Sequence, residues 1–321
     1  MLRFLVFIMV LPLYSACSQQ AYVETRTPIE PTLTSWEADQ PPRGVVLALH
    51  SFGDYHAAFD QLRPRFAEAG LLLDSYDQAG FGSRLQQGHW PGEQRLVEDA
   101  VQRIDHLYQA YQRPVFVLGE SMGGAVAILA AQQRPDKVAG LVLAAPAVRE
   151  GIRLRYGWNA AIATVAAIAP GYRVTVSRDP DDPSLAPANA RRLARDALVM
   201  RQVRLDTYWG LIQLADTASN QAASPAYPEL PVMLLYGGKD NTVPQAGIDA
   251  LRRHFDPHLC WQFQPQAPHL LLQGNQWQAT AQRIIDWIQQ QEAGIGPSST
   301  LQMSPDCYPV ATDDNHREHS P

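Results

Sequence analysis

Cysteine is scarce: three residues in 321, at 17, 260 and 307, are too few and too scattered for a disulfide framework or a zinc site. No Gly-x-x-x-x-Gly-Lys-Ser/Thr loop, no Gly-x-Gly-x-x-Gly turn and no His-Glu-x-x-His is present, so the sequence supports neither nucleotide nor metal chemistry, and no cofactor is expected. Positive charge is also short. With 26 Lys and Arg against 32 Asp and Glu, the formal net charge is −6, and no cationic cluster is interleaved with aromatics, which excludes a nucleic-acid partner. No internal repeat is found, and no obligate protein partner is evident. What the chain does have is 46% hydrophobic residues, enough to bury a substantial core.

The first residues, "MLRFLVFIMVLPLYSAC", carry one cation at Arg3, an apolar run from Phe4 to Leu13, and small residues before Cys17. Ten helical residues span only ~15 Å, about half the hydrocarbon core, so this is an export signal and not a membrane span. The segment resembles the lipobox of bacterial lipoproteins, with Tyr14 where leucine is usual. That resemblance implies a signal over 1–16, lipidation of Cys17, and anchoring in a membrane, each acyl chain contributing ~0.8 kcal/mol per buried CH₂. Ser18 after the cysteine implies the periplasmic face of the outer membrane. Residues 17–43, with "TPIEPT" and "DQPPRG", read as a polar tether with a short edge strand near Leu33–Trp36.

From Gly44 apolar, β-branched runs recur at 44–50, 71–76, 114–119, 138–145, 231–238 and 259–264. Runs of this kind suit strands buried on both faces. Helical stretches at 56–69, 92–111, 122–134, 246–255 and 276–291 alternate with them, which predicts an α/β fold with a mostly parallel sheet over 44–291. Ligands of such folds collect beyond the carboxyl ends of the strands. About 80 residues separate two of the strands, too many for a structureless loop. The interval 150–228 is therefore expected to be an inserted helical cap, with helices over 157–170 and 191–218. Residues 292–321 read as a disordered tail. Cys260 reads as a core residue of an apolar strand, and a bridge to Cys307 is the alternative that export permits.

Gly119-Glu120-Ser121-Met122-Gly123 joins a strand to a helix. A nucleophile elbow has this setting: the nucleophile takes a strained backbone conformation, and its flanks lack side chains so that strand and helix can approach. A helix N-cap serine in a glycine-softened turn is the competing reading. Serine needs a base, and the base needs a carboxylate to fix its tautomer; here the expected chain order is serine, acid, histidine. Asp240 follows the strand at 231–238, and His269 lies in the loop after the strand at 259–264. Alone, the aspartate is a turn cap and the histidine a packed loop residue. Together, in order and at the right strand ends, they complete a triad. His50 ends the first strand and is expected to support its loop. His254 and His258 belong to a helix end and its exit, and His316 and His319 to the tail. The expected oxyanion donors are the N–H groups of Met122 and of Phe52, with Gly53 keeping the latter loop accessible.

The blocks "HSFGDYHAAFDQL", "YDQAGFGSR", "PVFVLGESMGGAVAILAAQQRPDKVAGLVLAAPAVR" and "LLYGGKDNTVP", with His269, resemble the α/β-hydrolase group of monoacylglycerol lipases, lysophospholipases and serine aminopeptidases. Ser51 stands where that group has glycine, which leaves the oxyanion loop less backbone freedom. Asp77, Gly80 and Gly82 match its turn after the second strand. The resemblance implies an α/β-hydrolase fold with a helical cap, no metal or cofactor, and hydrolysis of a small amphipathic ester. Aminopeptidase and cofactor-free perhydrolase or haloperoxidase activity use the same triad, and a non-catalytic lipid-binding lipoprotein is the alternative of another class.

Overall fold

The computed structural model describes residues 36, 40–84, 88–149, 163–256, 259–294 and 307. All belong to the unit Thr32–Pro321; the other unit, Met1–Pro31, lies outside the described residues. The signal segment, Cys17, most of the tether, residues 150–162, His258, His316 and His319 fall outside them too. Trp36, at the end of the expected edge strand, is not in a strand. No described helix is long and apolar enough to cross a membrane.

Six parallel strands form the central sheet: β1 (Gly44–Leu49), β2 (Leu71–Ser75), β3 (Val115–Glu120), β4 (Val138–Ala144), β7 (Val232–Gly237) and β8 (Leu259–Gln264). Their order is β2-β1-β3-β4-β7-β8. Every residue of β1, β3 and β7 is buried, as their unbroken apolar runs require of strands covered on both sides. The cover comes from α1 (Arg63–Glu68), α2 (Glu93–Tyr111), α3 (Met122–Gln133), α5 (Leu205–Ala222), α6 (Gln245–Phe255) and α7 (Trp277–Glu292). The expected helix over 56–69 is broken. A 3₁₀ turn occupies His56–Phe59, and α1 begins at Arg63 with Pro64 in its first turn, the place where a missing N–H costs nothing.

The chain leaves β1 for β2 on one side and then crosses over to β3 on the other. The loops after β1 and β3 therefore diverge beside each other, which is where open α/β sheets hold their ligands. The parallel register pairs Leu49 with Gly119, so the loop after β1 and the turn at Ser121 leave the sheet side by side.

Between β4 and β7, residues 163–168 are helical, followed by α4 (Pro187–Arg195) and a two-stranded antiparallel ribbon of β5 (Arg173–Thr175) and β6 (Gln202–Arg204). One continuous helix over 191–218 is not formed. The chain leaves the helix at Asp196, whose carboxylate accepts the Tyr55 hydroxyl and the Leu198 N–H, and the segment after it pairs in the ribbon before α5 starts. Nor is the whole interval cap. Gln221 of α5 bonds Gln132 of α3, Ser219 accepts the Arg149 N–H, and the buried face of α5, including Leu214, Ala215 and Ala218, lies against the helix layer of the sheet. Cys260 is buried in β8 and is also bonded to Cys307.

Candidate active site

Ser121 follows β3 and precedes α3 with φ 54° and ψ −115°, a conformation that L-residues rarely hold without constraint. The constraint is the close approach of strand and helix. A Cβ at Gly119 would meet Gly123 O at 2.3 Å, and one at Gly123 would meet Leu49 O at 2.0 Å. Ser121 is the N-cap residue by position, yet its side chain makes no cap hydrogen bond. Its Oγ lies 2.9 Å from His269 Nε2.

His269 Nδ1 lies 2.8 Å from Asp240 Oδ2, so its proton is held there and Nε2 is free to accept from the serine. Asp240 bonds His269 and caps its own turn at once. Its other oxygen accepts the N–H groups of Thr242 and Val243 at 2.7 and 3.0 Å, capping the turn that fixes the carboxylate. The loops of Asp240 and His269 are tied directly by Lys239 N–H donating to Ala267 O. The Asp240 side chain is wholly buried, which protects its bond to the imidazole from water.

Ser51 to Asp54 form a turn closed by Asp54 N–H donating to Ser51 O, with Gly53 at φ +78°, the conformation a type II turn requires of its third residue. Ser51 has a negative φ, so no glycine freedom is needed there; instead its hydroxyl reaches the Glu120 carboxylate at 3.2 Å. Neither Phe52 N–H nor Met122 N–H is engaged by an acceptor among the described residues. Phe52 follows β1 and Met122 follows Ser121 after β3, so both lie beyond the carboxyl ends of adjacent strands. His50 lies under this loop, fully buried. It accepts Gln78 N–H at Nε2, so its Nδ1 carries the proton and donates to Ser51 O. Burial pushes its pKa down, which keeps it neutral. Burial opposes charge on Asp77 also, but hydrogen bonds from His56 and Ser83 outweigh it and hold that carboxyl far below its usual range. The turn containing Gly80 and Gly82 wraps around it.

Three features of the site are absent from the sequence reading. Glu120, beside Ser121, is fully buried and accepts from Ser51, Leu272 N–H and Gln273; burial raises its pKa. Its one signal is a carboxylate at the end of an otherwise apolar strand. Gln273 is buried beside it, and Arg192 of α4 reaches in from the cap. Arg192 gives no signal, since it is 138 residues from Asp54, its principal partner. Among the described residues no cluster of three His, Cys, Asp or Glu side chains is placed to hold a metal ion.

A sequence model of the family described as serine aminopeptidase, S33, matches residues 40–276. The chain belongs to this hydrolase family. Proteins similar to this S33 hydrolase include phospholipase YtpA of Bacillus subtilis, 26% identical over 67% of this chain and 82% of its own. Another is a monoacylglycerol lipase of Mycolicibacterium smegmatis, 28% identical over 66% of this chain and 75% of its own. The crystal structure of the Paleococcus ferrophilus monoacylglycerol lipase matches with a TM-score of 0.65, at 24% identity, over 81% of the S33 hydrolase and 99% of that chain. Its likeness is one of fold: the α/β-hydrolase sheet and its helices.

Proposed function

We propose that this S33 hydrolase cleaves a carboxylic ester of a single-chain lipid, a monoacylglycerol or lysophospholipid, through an acyl-enzyme. One observation carries the reading: the Ser121 hydroxyl, the His269 imidazole and the Asp240 carboxylate joined by hydrogen bonds of 2.9 and 2.8 Å. In the proposed reaction Ser121 Oγ attacks the ester carbonyl as His269 Nε2 takes its proton. Asp240 fixes the tautomer and stabilises the imidazolium. The N–H groups of Phe52 and Met122 receive the negative charge of the tetrahedral oxygen, each worth ~3 kcal/mol when preorganised. The imidazolium then protonates the departing alcohol. Water activated by His269 opens the acyl-enzyme and regenerates the serine.

Names of similar proteins, phospholipase and monoacylglycerol lipase, support the choice of a lipid ester. Anchoring through a lipidated Cys17 would hold the enzyme at its substrate's surface. Export is supported by the Cys260–Cys307 bond, since disulfides persist in oxidising compartments. The test is fluorophosphonate labelling of wild type and Ser121→Ala, followed by a panel of monoacylglycerols, lysophospholipids, short p-nitrophenyl esters and aminoacyl arylamides. Labelling is expected at Ser121 only, with turnover confined to esters. Labelling that survives Ser121→Ala removes the mechanism, and preference for arylamides makes the enzyme a peptidase. Cys17→Ser is expected to release the protein from membranes.

A further inference from the structure

We propose that Arg192, on the cap helix α4, is a positioning residue for this reaction: through Asp54 and Gln273 it sets the oxyanion loop and the His269 loop on the nucleophile. The inference rests on the esterase reading above and adds the part played by the cap. Arg192 Nη1 and Nη2 donate to the two oxygens of Asp54 at 2.6 and 2.8 Å, and Nη2 also donates to Gln273 Oε1 at 2.8 Å. Gln273 Nε2 in turn lies 3.1 Å from both Asp54 Oδ2 and Glu120 Oε2. Glu120 closes the set by accepting the Leu272 N–H at 2.9 Å and the Ser51 hydroxyl at 3.2 Å. A single chain of hydrogen bonds thus runs from the cap to the residue preceding Ser121. On the way it touches the turn that carries Phe52 and the loop that carries His269.

Asp54, Gln273 and Glu120 are buried, at 2%, 0% and 0% exposure, so none can exchange its partner for water. A planar guanidinium is the side chain that can hold both carboxylate oxygens and an amide at once; an ammonium is a point charge without that fork. Further bonds of this cap segment fall on the same two loops, and Asn189 also donates to Gln61 Oε1. Met200 N–H donates to Gly53 O at 2.8 Å, the Tyr55 hydroxyl to Asp196, and Ala186 N–H and Asn189 Nδ2 to Gln273 O at 3.0 Å. Phe52 N–H is held by a turn whose Gly53 carbonyl and Asp54 carboxylate are both gripped by the cap. A displacement of about 1 Å at such a donor is enough to slow catalysis about 100-fold.

The experiment compares wild type, Arg192→Lys and the double variant Asp54→Asn/Arg192→Met, with kcat and KM measured on p-nitrophenyl butyrate and the rate of fluorophosphonate labelling at Ser121. The double variant removes both members of the Asp54–Arg192 ion pair together, so neither is left without the other, while Arg178, whose charge also feels Asp54, is unchanged in every variant; the fold is checked by circular dichroism. Expected is a kcat lower by about 10- to 100-fold in the double variant and by less in Arg192→Lys, with labelling slowed in parallel and KM within about twofold. A folded double variant with wild-type kcat overturns the proposal, as does a change confined to KM, which would make Arg192 a binding residue only. If the double variant does not fold, Arg192→Lys decides alone: wild-type kcat and labelling rate there overturn it equally. Absence of labelling and of ester turnover in the wild type itself marks failure of the esterase reading, an outcome distinct from these.

Discussion

Ser121 holds a positive φ at the junction of β3 and α3, which no glycine there relieves. The conformation survives because Gly119 and Gly123 carry no Cβ and the neighbouring backbone fills their place. Gly123→Ala would set a Cβ 2.0 Å from Leu49 O, and backbone cannot yield as a side-chain end can. We expect a loss of roughly 2 kcal/mol or more in a urea titration, and ester turnover down by about 100-fold as the elbow moves. His50 supplies a second residue-scale prediction. Its folded pKa lies below the ordinary 6.5, so its contribution to stability is complete above that value and is lost as pH falls through the folded pKa. His56, raised by its bond to Asp77, acts in the opposite sense and only above 6.5. The melting temperature of wild type is therefore expected to fall more steeply below pH 6.5 than that of His50→Gln, whose amide can still accept the Gln78 N–H. Parallel slopes would remove His50 as the cause.

Elements of the sheet were legible because their burial is written in their composition. A strand covered on both faces needs an apolar run, as β1, β3 and β7 have, and all six of the runs are strands within a residue or two at either end, the edge strand β8 with polar Gln262 and Gln264 and an exposed Phe263 among them. Cap elements were not legible in that way. Residues 191–204 are helical in pattern, but Asp196 serves Tyr55, and the three residues of β6 find partners in β5; long-range bonds override local propensity. The α2–β2 contact shows the same limit within the core. Arg103 donates to both oxygens of Asp74 at 2.7 and 2.9 Å, each side chain nearly inaccessible, and neither residue's position in the sequence names the other. Arg103→Met leaves Asp74 buried without its cation and should cost about 3–5 kcal/mol in equilibrium unfolding. A loss under about 1 kcal/mol would mean that water or another cation reaches Asp74.

At the scale of the whole molecule, the crosslink between Cys260 and Cys307 encloses 47 residues of separation, including α7. By loop-closure entropy such a bridge contributes about 2–4 kcal/mol, so Cys307→Ser, or reduction of the wild type, should lower the melting temperature by roughly 5–10 °C. An unchanged melting temperature under reductant would show that the bridge does not restrain the unfolded chain. The sequence by itself determined the alternation of strand and helix and the placing of Ser121, Asp240 and His269 at strand ends, because a buried sheet forces apolar runs and a turn that brings strand and helix into contact forces glycines. Only the tertiary structure decided that Cys260 is bridged, that Asp240 caps its own turn while holding His269, and that Arg192 reaches Asp54 across 138 residues. Polar partners of this kind are chosen by distance in space, and one charged side chain among many carries no mark of which other it will meet.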